Sequence, residues 1–81
     1  MMSPMNLGER LERKPEVLGG QPVVRGTRVP VRALVGGLAG GMSIEQVCAS
    51  YRVTAEDVRA ALAYALELID EDRALGAASS R

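Results

Sequence analysis

Apolar residues change their spacing near Pro30. Upstream, residues 22–29 are rich in β-branched side chains, and Leu11–Arg13 reads as a further short strand. Gly26 interrupts the β-branched stretch and predicts a bulge or a close backbone approach. Residues 15–20, Pro-Glu-Val-Leu-Gly-Gly, read as one helical turn or tight loop. Downstream, Val31, Leu34, Val35 and Leu38 fall at i, i+3, i+4, i+7, one face of a helix that opens at Pro30 and ends at Gly40 and Gly41. Gly36 and Gly37 weaken that helix by about 1 kcal/mol each against alanine and leave room for a close neighbour.

Two capped helices follow. Ser43 with Gln46 forms a Ser-x-x-Gln box, and Ile44, Val47, Cys48 and Tyr51 repeat the helical face. Thr54 opens a third helix with Asp57 at the reciprocal position. Only Arg52 and Val53 separate the two, which is helix-turn-helix spacing. The expected core stripe of the third helix is Val58, Ala61, Leu62, Ala65 and Ile69. Ala60, Tyr64 and Leu68 form a second apolar face, expected either to meet a partner or to lie under the β block. The predicted class is mostly α with a small β-hairpin: a three-helix, helix-turn-helix core preceded by short N-terminal strands. The expected organisation is a flexible N-terminus over 1–8, one domain over 9–75 (β block 9–29, helix-turn-helix 30–75) and a disordered tail over 76–81.

Eighty-one residues make one small domain, and with Cys48 alone there is no disulfide framework. A chain this short is expected to gain core by forming a homodimer, with strands pairing between subunits to bury Val23, Val24 and Val29. The absence of a secretory leader pattern and of a long apolar run points to a cytoplasmic protein that does not enter a membrane. Net charge is zero, which argues against general polyanion binding. Charge is nevertheless uneven. Arg10, Arg13, Lys14, Arg25, Arg28 and Arg32 outnumber Glu12 and Glu16, whereas the segment after Ser43 is acidic.

Catalysis has little support. The chain has no histidine, Cys48 sits on an apolar stripe, and the nine glycines include no phosphate-loop motif. No cofactor and no metal are expected. Asp70, Glu71 and Asp72 are consecutive, point in different directions, and read as a solvated helix end. Helix-turn-helix docking would place the first turn of the third helix against base edges, with Arg52, Thr54 and Arg59 as contacts. Glu56 and Asp57 in that turn oppose phosphates. Arg25, Arg28 and Arg32 would supply phosphate contacts from the β block, or else pair internally with Glu45, Glu56 or Asp57.

The run Gly20-Gln-Pro-Val-Val-Arg-Gly-Thr-Arg-Val-Pro-Val-Arg32, then Gly40-Gly-Met-Ser-Ile-Glu45, Tyr51 and Asp57-Val-Arg-Ala-Ala-Leu-Ala-Tyr-Ala65, resembles the domain-of-unknown-function family numbered 433. The resemblance covers about Leu11 to Ile69. It implies a short β-hairpin followed by a homeodomain-like helix-turn-helix, and a likeness to VapB-type antitoxins whose companion is a small PIN-like ribonuclease toxin. It places Arg25, Gly26, Thr27 and Arg28 in the family's central motif. The chain departs from the family at Tyr51-Arg52, where Tyr-Pro is common. Two readings follow. In one, the chain is an antitoxin-like module that neutralises the ribonuclease and binds its own operator DNA. The toxin, or a second copy of the chain in the dimer, would meet a surface of Ala60, Tyr64, Leu68, Asp70, Glu71 and Asp72. In the other, it is a dimeric interaction or scaffold protein that uses the helix-turn-helix only for packing.

Overall fold

Strand pairing is centred on Leu11–Arg13, which has a neighbour on each side. In the computed structural model, which describes residues 5, 6 and 8–76 and side chains from 8 to 70, Met5–Asn6 (β1), Leu11–Arg13 (β2) and Val23–Val24 (β3) form an antiparallel sheet in the order β1-β2-β3. Leu11 faces Val24, and Glu12 faces Val23. The expected hairpin is therefore present and carries one further strand, at positions expected to belong to a flexible lead-in. A short 3-10 turn at Leu18–Gly20 lies in the connection from β2 to β3.

The outer edge of β3 is closed by its own continuation. Val24 N–H donates to the Val29 carbonyl at 2.9 Å, Val31 N–H to the Pro22 carbonyl at 2.9 Å, and Val23 bridges Pro30. Val23 and Val24 are buried within a single chain. Strand exchange between subunits is thus not needed to cover them, contrary to the expectation above.

Three helices complete the fold: Val31–Ala39 (α1), Ile44–Tyr51 (α2) and Ala55–Gly76 (α3). Pro30 is the N-cap of α1. At Gly37 an added Cβ would lie 3.2 Å from both Met42 Sδ and Val47 Cγ2, so the glycine lets α2 approach α1 closely. Ser43 and Gln46 form the reciprocal capping box of α2. Leu11, Val24, Val31, Leu34, Val47, Val53, Val58 and Ala61 make one core, shared by the sheet and all three helices. The three-helix, helix-turn-helix core behind short strands is as the pattern predicts.

α3 outlasts this core. Its 22 residues span about 33 Å at 1.5 Å per residue, and from Leu62 to Asp70 no residue is fully buried. Leu62 and Ile69, expected in the core stripe, are exposed, because the face of α3 turned inward carries Ala60, Ala61 and Tyr64; Leu66 and Leu68 are exposed too. Of the second apolar face, expected either to meet a partner or to lie under the β block, Ala60 and Tyr64 pack against the core. The side chains of Glu71 and Asp72 and the expected tail beyond Gly76 lie outside the described residues. Among the described residues no helix is long and apolar enough to cross a membrane.

Candidate functional site

The Arg25–Arg28 motif is a turn fastened from below by a buried carboxylate. Thr27 N–H closes the turn on the Val24 carbonyl at 2.9 Å. Gly26 stands at φ +77°, the value a type II turn requires at its third position. The Thr27 hydroxyl donates to the Val24 carbonyl at 2.8 Å and accepts from Val29 N–H at 3.0 Å, which locks the exit of the turn. Beneath it, Glu12 accepts the Gly26 N–H at 2.9 Å. Arg25 donates to the carbonyls of Gly8 at 2.6 Å and Glu9 at 2.8 Å, and its Nη1 lies 3.4 Å from Glu12 Oε1. The guanidinium therefore ties the turn to the chain entering β2. An added Cβ at Gly26 meets open space, so Gly26→Ala is strained by its φ alone. It is expected to cost about 1–2 kcal/mol, read as a lower midpoint of urea unfolding.

The second fastening lies at the start of α3. Thr54 N–H donates to Asp57 Oδ2 at 3.0 Å, and Asp57 N–H donates to Thr54 Oγ1 at 3.1 Å. Arg10 bonds Asp57 Oδ1 at 3.0 Å through one nitrogen and Glu56 through the other. The acidic first turn of α3 is thus neutralised from within, and Asp57 points into the fold. The arginine that pairs with Glu56 and Asp57 is Arg10, not Arg25, Arg28 or Arg32. Residues 10 and 57 share no periodicity that would reveal the pair.

Both buried carboxyls are held below their ordinary values. For Glu12 the Gly26 N–H is the main cause, resisted by burial and helped by Lys14 and Arg25. For Asp57, burial pushes upward, but the Thr54 N–H and the Arg10 guanidinium outweigh it. Arg10 is raised in turn, chiefly by its bond to Asp57. A depressed carboxyl stabilises the fold above its unfolded pKa, and that contribution is lost as pH falls through the folded pKa. Stability is therefore expected to hold near neutrality and to fall from about pH 5 downward. Urea midpoints across that range check it; Glu12→Gln should flatten the decline.

The turn and the helix-turn-helix bend face each other across a cleft of about 330 Å³ lined by Arg10, Arg25, Thr27, Arg52 and Asp57, among others. Of the expected DNA contacts, the structure brings Arg25 and Arg52 together here. Arg25 and the Thr54 hydroxyl are engaged within the fold, and Arg32 donates to Gln21 at 2.8 Å. Arg28, Arg52 and Arg59 are exposed, and their side chains make no hydrogen bond or ion pair among the described residues. An apolar groove of about 420 Å³ lies on another side, between Pro22, Val31, Val35 and the α3 residues Tyr64, Ala65 and Leu68. The Tyr64 hydroxyl accepts from Arg13 at 2.7 Å, so Tyr64 is anchored to β2.

Known proteins are similar to this chain in sequence and in fold. The family model described as "Protein of unknown function (DUF433)" matches residues 11–65. The uncharacterized protein y4eO of Sinorhizobium fredii is 43% identical over 58 residues, which is 70% of this chain and 26% of that protein. The crystal structure of a DUF433 member from Anabaena variabilis superposes with a TM-score of 0.68 at 38% identity, covering 84% of this chain and 71% of that one. Rv2018 from Mycobacterium tuberculosis superposes with a TM-score of 0.59 at 35% identity, over 64% of this chain and 24% of that one. The chain thus spans about a quarter of the length of y4eO and of Rv2018.

Proposed function

We infer that this chain, which belongs to the DUF433 family of proteins of unknown function, is an antitoxin-like binding module that neutralises a PIN-like ribonuclease in the cytoplasm. One observation carries this reading: α3 projects past the core with Leu62, Leu66, Leu68 and Ile69 exposed. Large apolar residues left together on a projecting helix fit the helix-in-groove mode of recognition. The acidic positions that follow, beginning at the exposed Asp70, suit a basic RNA-binding cleft on a nuclease. The reading assigns the chain no catalysis of its own. The direct test mixes the purified chain with a nuclease encoded beside it and follows RNA cleavage. Suppression at equimolar ratio supports the reading; cleavage at the uninhibited rate with the chain in excess removes it. Deletion from Asp70 onward then separates the acidic end from the apolar residues as the inhibitory element.

A second reading, operator DNA binding by a homodimer, is favoured by the uncommitted Arg28, Arg52 and Arg59. With zero net charge, such binding has to come from a few placed cations and be strongly salt-dependent. Light scattering distinguishes a dimer from a single chain of 8.6 kDa. A dimer that binds neither nuclease nor duplex DNA would leave the scaffold reading.

A further inference from the structure

Arg52 holds a backbone conformation that its side chain does not favour. It caps α2 in the left-handed region, with φ 58° and ψ 47°, where glycine is the unstrained choice. Its N–H donates to the Cys48 carbonyl, a bond that any residue except proline would supply. Nothing in the fold uses the side chain, which is exposed and makes no hydrogen bond or ion pair among the described residues. Strain kept at a residue whose side chain the fold does not use points to a role outside folding.

The surroundings indicate what that role is. Arg52 lines the cleft of about 330 Å³ together with Arg10, Arg25 and Thr27. Asp57 lines it too, but its carboxylate is already met by Arg10 and by the Thr54 N–H. Glu9 is the remaining acid of the lining, next in sequence to Arg10 and exposed. Arg52 is left as the cation of the cleft with no carboxylate bonded to it. It sits at the bend between α2 and α3. In helix-turn-helix docking the first helix crosses the DNA backbone, and Arg52 is the residue that ends that helix.

We propose that the cleft is a phosphate subsite that takes a backbone phosphodiester of duplex DNA, with Arg52 as its principal cation. It rests on the DNA-binding reading above, and it assigns Arg52 a backbone contact that positions the protein without reading sequence.

The decisive variant is Arg52→Gly, because folding and binding should respond with opposite signs. Glycine relieves the left-handed strain, so the melting temperature should rise. Loss of one charge-assisted contact should weaken binding to a duplex of the upstream promoter by about tenfold. The slope of log K against log salt should become shallower by about one. Arg52→Lys should keep most of the slope. Fluorescence anisotropy at several salt concentrations reads both quantities. Unchanged affinity and slope in Arg52→Gly, with wild type binding normally, overturn the subsite and leave DNA binding standing. A fall in melting temperature accompanying the lost affinity makes Arg52 structural and also overturns it. Absence of wild-type binding at low salt removes both claims. Inorganic phosphate that stabilises wild type but not Arg52→Gly, with no duplex bound, identifies a free-anion site and overturns the DNA assignment.

Discussion

Replacing Leu66 and Ile69 together with glutamate is expected to weaken binding of the partner nuclease by at least ~100-fold while leaving the chain folded. Leu66 is 59% exposed and Ile69 57%, so neither contributes to the core. Both positions lie in the part of α3 beyond the last buried residue, Ala61. In a helix-in-groove complex, apolar anchors of this kind account for most of the affinity, and truncating one commonly costs about 2 kcal/mol or more. Glutamate adds the cost of bringing a charge into the groove. Circular dichroism should be unchanged, which separates the effect from unfolding. Calorimetric titration against the nuclease is the measurement. Retention of wild-type affinity would move the partner to the β block or to the helix-turn-helix.

The largest expected effect on stability comes from Asp57→Ala. It removes the acceptor that caps Thr54 N–H at 3.0 Å and the oxygen that Arg10 bonds at 3.0 Å. Loss of an N-terminal capping interaction costs about 1 kcal/mol. The lost charge-assisted bond adds about 1 kcal/mol more, discounted because the Arg10 side chain is 40% exposed and water replaces part of it. For a domain of this size, about 2 kcal/mol lowers the melting temperature by roughly 10 °C. Asp57→Asn keeps an acceptor for the Thr54 N–H but loses the charge, so it should recover about half. Equal melting of Asp57→Ala and wild type would show that the Arg10 contact does not hold the sheet to the helices.

Sequence reads local interactions well here. The capping boxes at Ser43–Gln46 and Thr54–Asp57 are visible because both partners lie within one turn. The strand at Leu11–Arg13 and the helix opened by Pro30 are visible for the same reason. The Arg10–Asp57 pair joins residues 47 apart, and no spacing encodes it. Glu12 was countable only as one acid among basic neighbours, yet it holds the Gly26 turn. The azimuth of α3 was misjudged because residues 60–66 are apolar on every side, so periodicity could not choose between faces. Packing of α1 and β2 settled the choice: the face that carries Ala60, Ala61 and Tyr64 turns inward, and Leu62 and Ile69 lie on the other side.

The Arg10 contact also bears on the order of assembly. The three helices follow one another with short connections, so their mutual packing closes small loops and is kinetically cheap. Fixing the strands needs residue 10 to find residues 56 and 57, and residue 13 to find residue 64. Those closures carry the larger entropic cost and are favourable only once α3 is in place to receive them. On a ribosome the strands emerge before α3, so the contacts that join residues 10 and 13 to that helix wait for it.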